Sequence, residues 1–164
     1  MGISARLGVV AIAVAVAGAA LLSSETISAA MMGAEAIKAR QDAMKDISKN
    51  NKVVQAFVKD GKGSAADVEK AAKAIAATAK QIPDLFPKGS GRGDFSDKET
   101  RALPKIWSDW PGFESASTVL VTESEKLAEI AAAGDKDMIA TQATKMGKAG
   151  CGGCHDTYRG EKVK

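Results

Sequence analysis

Histidine is almost missing from this chain, which holds one histidine and two cysteines in 164 residues. A zinc site wants four ligands, so any site built from these three residues would have to borrow a carboxylate. Aromatic residues make up only 4% of the sequence, and alanine is abundant. Alanine loses no side-chain entropy in a helix, so the composition favours helices, and no convincing strand pattern appears. No dense Lys/Arg patch is interleaved with aromatics, and a formal net charge of +3 is too small to argue for nucleic acid. Neither an acid/base pair nor a substrate pocket is suggested, so an enzyme is not expected. No internal repeat is visible. What remains is ordinary for a soluble globular protein: 45% hydrophobic and 26% charged residues, in a length suited to one domain with a real core.

The first thirty residues, MGISARLGVVAIAVAVAGAALLSSETISAA, stand apart. Arg6 precedes an apolar run from Leu7 to Leu22, and Ser28-Ala29-Ala30 offers a small-x-small cleavage site before Met31. That is the layout of a secretory signal peptide. The run is short for a membrane span, which takes about 20 apolar residues, so membrane attachment is expected only if this segment stays uncleaved. Residues 1–30 therefore read as a leader and residues 31–164 as the mature domain. Export places the cysteines in an oxidising compartment.

Periodicity and stop signals predict four helices in the mature chain. The first runs from about Ala34 to Lys59, with Ile37, Arg40, Met44, Ile47, Asn51 and Val54 on one side and a lysine- and aspartate-rich opposite side. Arg40 and Asn51 are unexpected on an inner face. Ser64 is a fitting N-cap for the second helix, with Asp67 in its first turn, and Pro83 and Pro87 stop it. PKGSGRGDFSDKET is a long polar crossover, which has to pass around something or join distant helix ends. Pro104 suits the first turn of a third helix, along which Ile106, Phe113, Leu120 and Leu127 recur every seven residues. Pro111 predicts a kink there, or a late start. Gly134 ends this helix and Asp135 caps the fourth. Together these predict an all-α protein, an antiparallel four-helix bundle.

The fourth helix leads into AGCGGCHDTYRGEKVK. A thioredoxin-like thiol pair expects its CxxC after a strand, at a helix start, and no strand is available. C-x-x-C-H is the attachment signal of c-type haem. Two thiols three positions apart can add to the two vinyl groups of one porphyrin, and the adjacent imidazole then reaches the iron. This reading makes Cys151 and Cys154 the thioether anchors of one haem c and His155 the proximal ligand.

The sequence resembles the class II c-type cytochromes, the family of cytochromes c′ and c-556. The likeness rests on RQDAM (Arg40–Met44), LFPKGS (Leu85–Ser90), ALPKIW (Ala102–Trp107), Phe113 and CGGCHDTYR (Cys151–Arg159), in the family's order across the mature chain. It implies a four-helix bundle with haem near one end. One departure is GKAGC, where family members often have one residue fewer before the first cysteine; this implies an altered local helix turn with the haem motif intact.

The sixth iron ligand decides the chemistry. Met138 and Met146 share a helix with His155, displaced from it by about 25 and 13 Å along the axis, so neither reaches the opposite haem face. Met44 lies on the inner face of the first helix, where it serves equally well as a core side chain or as a ligand. The resemblance favours the ligand: gas-binding cytochromes c′ typically carry an apolar residue at this position, and c-556-type members a methionine. It also implies that Arg40 meets a haem propionate, that Gln41 lies against the haem edge, and that Tyr158 and Arg159 cover the proximal pocket. The expected function is electron transfer with redox partner proteins in the bacterial periplasm. A high-spin cytochrome c′ that binds NO or CO at a vacant site is the alternative, and a non-haem thiol-redox protein a weaker one. The resemblance leaves a homodimer through the first two helices open, which the alanine-rich second helix neither requires nor forbids.

Overall fold

The computed structural model describes residues 19–163. Residues 1–18 of the expected leader lie outside the described residues. Helix α1 (Ala19–Asp60) begins within the rest of that segment, earlier than the predicted start near Ala34. Alanine and leucine are strong helix formers, and no stop signal separates the leader's tail from the domain.

Helix α2 (Ala65–Ala79) packs against α1 on one side and α4 (Trp110–Ala133) on the other. A single turn, α3 (Lys105–Ser108), precedes α4. The fourth member of the bundle is composite: α5 (Lys136–Lys145), a π-helical segment (Met146–Gly152) and α6 (Gly153–Tyr158) follow one another directly. α4 is the surface on which α5 and the π-helical segment lie. The predicted four-helix bundle is the fold.

The local signals work as expected. Ser64 caps α2 in a reciprocal box: its hydroxyl accepts from the Asp67 amide at 3.2 Å, and its own amide donates to the Asp67 carboxylate at 2.9 Å. Gly134 ends α4 in the left-handed region at φ 81°, a conformation that suits glycine. The Asp135 carboxylate then accepts from the amides of Asp137 and Met138, both at 3.0 Å. The heptad residues Ile106, Phe113, Leu120 and Leu127 are all buried.

Pro111 resolves as a late start rather than a kink. The backbone breaks at Asp109 (φ −128°, ψ 52°), and Pro111 enters the first turn of α4, where its missing N–H has no intrahelical partner to lose. The crossover is a strap around the end of the bundle. The Leu103 amide donates to the Tyr158 carbonyl at 3.1 Å, and the Gly160 amide to the Arg101 carbonyl at 2.8 Å. Gly91 is obligatory in it, because a Cβ there would lie 2.3 Å from the Trp107 ring.

Candidate functional site

Cys151 stands near the end of the π-helical segment, and Cys154 and His155 stand in α6; all three are half-buried. Both thiols are free. Burial raises the Cys151 thiol, and it pushes the Cys154 thiol up to about 11, with Cys151 adding to the effect. A redox-active CxxC needs the opposite, a thiolate stabilised near neutral pH. The thiol-redox alternative therefore has no support from the fold or from the electrostatics. Burial lowers the pKa of His155, and the Arg159 and Arg101 charges add to the shift. The imidazole is thus held neutral at pH 7, the form that ligates a metal. Among the described residues no three His, Cys, Asp or Glu side chains converge as a metal site. Cys151, Cys154 and His155 are thus not gathered, with one another or with a carboxylate, into a zinc clip.

The proximal segment is anchored by contacts absent from the sequence reading. Tyr158 is 6% exposed, and its hydroxyl donates to the Asp109 carboxylate at 2.7 Å. That bond holds the phenol proton, pushing its pKa up to about 12. The Tyr158 ring meets Phe113 edge-on at 5.4 Å, and Phe113 also meets Phe86 at 4.8 Å and Trp110 at 5.5 Å. Four of the chain's seven aromatic residues thus gather around the segment that carries the CxxCH. Gly112 makes room for this, because a Cβ there would lie 2.5 Å from the Tyr158 oxygen. Arg159 is exposed, and its backbone pairs with Ala102 of the strap.

On α1, Met44 is half-buried and packs against the same core cluster as Cys151 and Cys154. Three other methionines divide clearly. Met32 and Met138 are 62% and 52% exposed, whereas Met146 is fully buried on the composite helix itself. Gln41 is exposed and donates to the Glu99 carbonyl at 3.0 Å, tying α1 to the strap.

Arg40 is 5% exposed and is held by the strap. It donates to the Ser90 hydroxyl at 2.9 Å, to the Thr100 hydroxyl at 2.6 Å and to the Ser90 carbonyl. The guanidinium carbon lies 4.8 Å from the centre of the Phe86 ring. Ser90 lay within one of the quoted sequence stretches without an assigned role, and Thr100 and Asp109 carried no signal. All of Arg40's partners are neutral, and burial pushes its pKa down to about 10. Among the described residues no carboxylate pairs with it. A buried cation without a counter-charge is costly, so this environment suits an anionic group supplied from elsewhere. Two free thiols one turn apart, a neutral imidazole beside them and an uncompensated buried guanidinium are what a covalently bound haem with its propionates would use. The residues fit the group.

Comparison with known proteins agrees. The Cytochrome C′ family model matches residues 35–159. A cytochrome c-556 of Agrobacterium fabrum is 33% identical over 146 residues, covering 88% of this chain and 94% of its own length. A cytochrome c′ of Rhodopseudomonas palustris is 34% identical over 131 residues, covering 78% and 84%. Among solved structures, cytochrome c′ from Shewanella frigidimarina superposes with a TM-score of 0.69 at 35% identity, over 79% of this chain and 97% of that one. A family match spanning nearly the whole bundle, on a chain whose CxxCH and buried arginine suit one covalent haem c, shows that this protein belongs to the cytochrome c′ family of class II c-type cytochromes.

Proposed function

We propose that this protein is an exported, low-spin electron carrier of the c-556 type, with its haem bound at Cys151 and Cys154 and its iron between His155 and Met44. The observation that carries the reading is the position of Met44. It is half-buried on α1 and packs on the core that also receives both cysteines, whereas Met32 and Met138 are largely exposed and Met146 belongs to the helix bearing His155. A thioether ligand gives low-spin iron and raises the reduction potential. Soft sulfur suits ferrous iron, and keeping the same ligand in both oxidation states keeps reorganisation small.

The haem supplies a one-electron ferric/ferrous couple, and the chain's own residues hold and tune it. Cys151 and Cys154 would attach it covalently to the composite helix. His155, kept neutral by burial, offers a ring nitrogen lone pair. Arg40, locked by Ser90 and Thr100, presents positive charge for a propionate through charge-assisted hydrogen bonds. The Tyr158–Asp109 bond holds the helix behind the histidine. The high-spin, gas-binding alternative differs from this reading at one point, an iron without the Met44 sulfur.

An optical spectrum of the unmutated protein tests the assignment. Both oxidation states are expected to be low-spin at neutral pH. The oxidised form should show the weak far-red band of iron–thioether charge transfer, and carbon monoxide should bind slowly. A high-spin spectrum transfers the protein to the gas-binding type.

Export has its own test. Protein made in a bacterium competent for haem c should have a mass matching an N-terminus near Met31 plus one haem. An intact leader in the membrane fraction would instead make residues 1–30 an anchor. Among the described residues no helix is long and apolar enough to cross a membrane. With the leader cleaved on export, the electron donors and acceptors would be redox proteins of the periplasm.

A further inference from the structure

The composite helix carries one residue more than an unbroken α-helix could hold in register. α5 turns Ile139 and Ala143 to the core, Met146 at the start of the π-helical segment continues that stripe, and α6 turns Tyr158 to the same core. At about 100° per residue, an α-helical path from Met146 to Tyr158 would leave Tyr158 about 120° round the axis, off the buried stripe. The π-helical segment Met146–Gly152 lies between them. A π-turn takes up about one extra residue, which returns Tyr158 to within about 20° of Met146. Cys154 and His155 lie within the same α6 as Tyr158 and are turned with it.

Two further observations fit this segment to its place. Gly150 is buried, and a Cβ on it would lie 2.9 Å from Leu120 Cδ1 and 3.0 Å from Leu120 Cα, so the segment is seated directly on the α4 backbone. Lys148 and Ala149 are exposed, so the excess residue bulges outward rather than into the core.

We infer that the π-helical segment is the positioning element of the haem-attachment site: by absorbing one residue it sets CxxCH in the register that Tyr158 locks against Asp109. This rests on the reading that Cys151 and Cys154 carry the haem. Removing a residue here is therefore tolerated, and adding one is not.

The test uses full-length chains made in a haem-c-competent bacterium, with Ala149 deleted in one and an extra alanine inserted after Ala149 in the other. Covalent haem per chain is read by mass. Burial of Tyr158, the chain's only tyrosine, is read by its protection from N-acetylimidazole. The deletion should give a continuous α-helix, keep the covalent haem and leave Tyr158 protected. The insertion should lose most of the covalent haem and expose Tyr158 to acetylation. Loss of haem and of Tyr158 protection in the deletion variant, or retention of both in the insertion variant, overturns the inference. If the unmutated protein itself carries no covalent haem, the haem reading fails. In that event the tyrosine protection of the two variants still decides the register.

Discussion

Met44→Leu is expected to convert low-spin iron to high-spin iron, lower the reduction potential and turn slow carbon monoxide binding into rapid binding. Leucine nearly matches methionine in volume, so a half-buried position should lose less than roughly 1.5 kcal/mol of packing stability. The thioether, in contrast, is lost entirely. The two consequences therefore separate: the thermal midpoint should move little while the spectrum changes in kind. Met138→Leu and Met146→Leu serve as controls. Met138 is largely exposed, and Met146 is buried on the helix that carries the histidine, so neither should alter the spin state. A spectrum unchanged by Met44→Leu removes Met44 from the iron and leaves it as core packing.

Changing Cys151 and Cys154 together to alanine should release all pigment into acidified acetone, whereas the unmutated protein should release none. The contrast is all-or-none because a thioether survives denaturation and a coordinate bond does not. His155 remains in the double variant, so any haem it retains in neutral buffer is held by ligation and packing alone. Pigment extracted freely from the unmutated protein would refute covalent attachment. Each single variant should keep its haem through one thioether.

Much of the architecture was legible because its signals are local. A capping box spans three residues, so Ser64 and Asp67 announce the start of α2 with no knowledge of the rest. Gly134 and Asp135 mark the α4–α5 turn in the same way. Pro111 was ambiguous for a physical reason. Proline is compatible with a kinked helix or with a first turn, and the break at Asp109 that chooses between them coincides with the bond from Asp109 to Tyr158, 49 residues away. The start of α1 was misplaced because helix propensity runs continuously from residues 19–30 into the rest of the helix.

The site divides along the same line. Arg40 was conspicuous in the sequence as a charge on an inner face, but its protein partners Ser90 and Thr100 lie 50 and 60 residues along the chain. A small hydroxyl residue in a polar crossover carries no mark of the guanidinium it will hold. The resemblance implied a pocket cover at Tyr158; what the structure shows is its bond to Asp109, which makes it a structural anchor.

By itself, the sequence determined the cofactor: a CxxCH with the chain's only histidine, in a helical domain behind a leader-like segment, points to one covalent haem c and to few alternatives. Covalent attachment depends on residue identity and short spacing, which a linear sequence states outright. Only the tertiary structure decided how that motif faces the core. The residue in excess near GKAGC could have rotated CxxCH away from the bundle. It became a π-turn instead, because burying Tyr158 against Phe113 and Asp109, with Gly150 seated on Leu120, is compatible with one rotation of the last turn. Register is a property of packing between distant segments, and no local spacing encodes it.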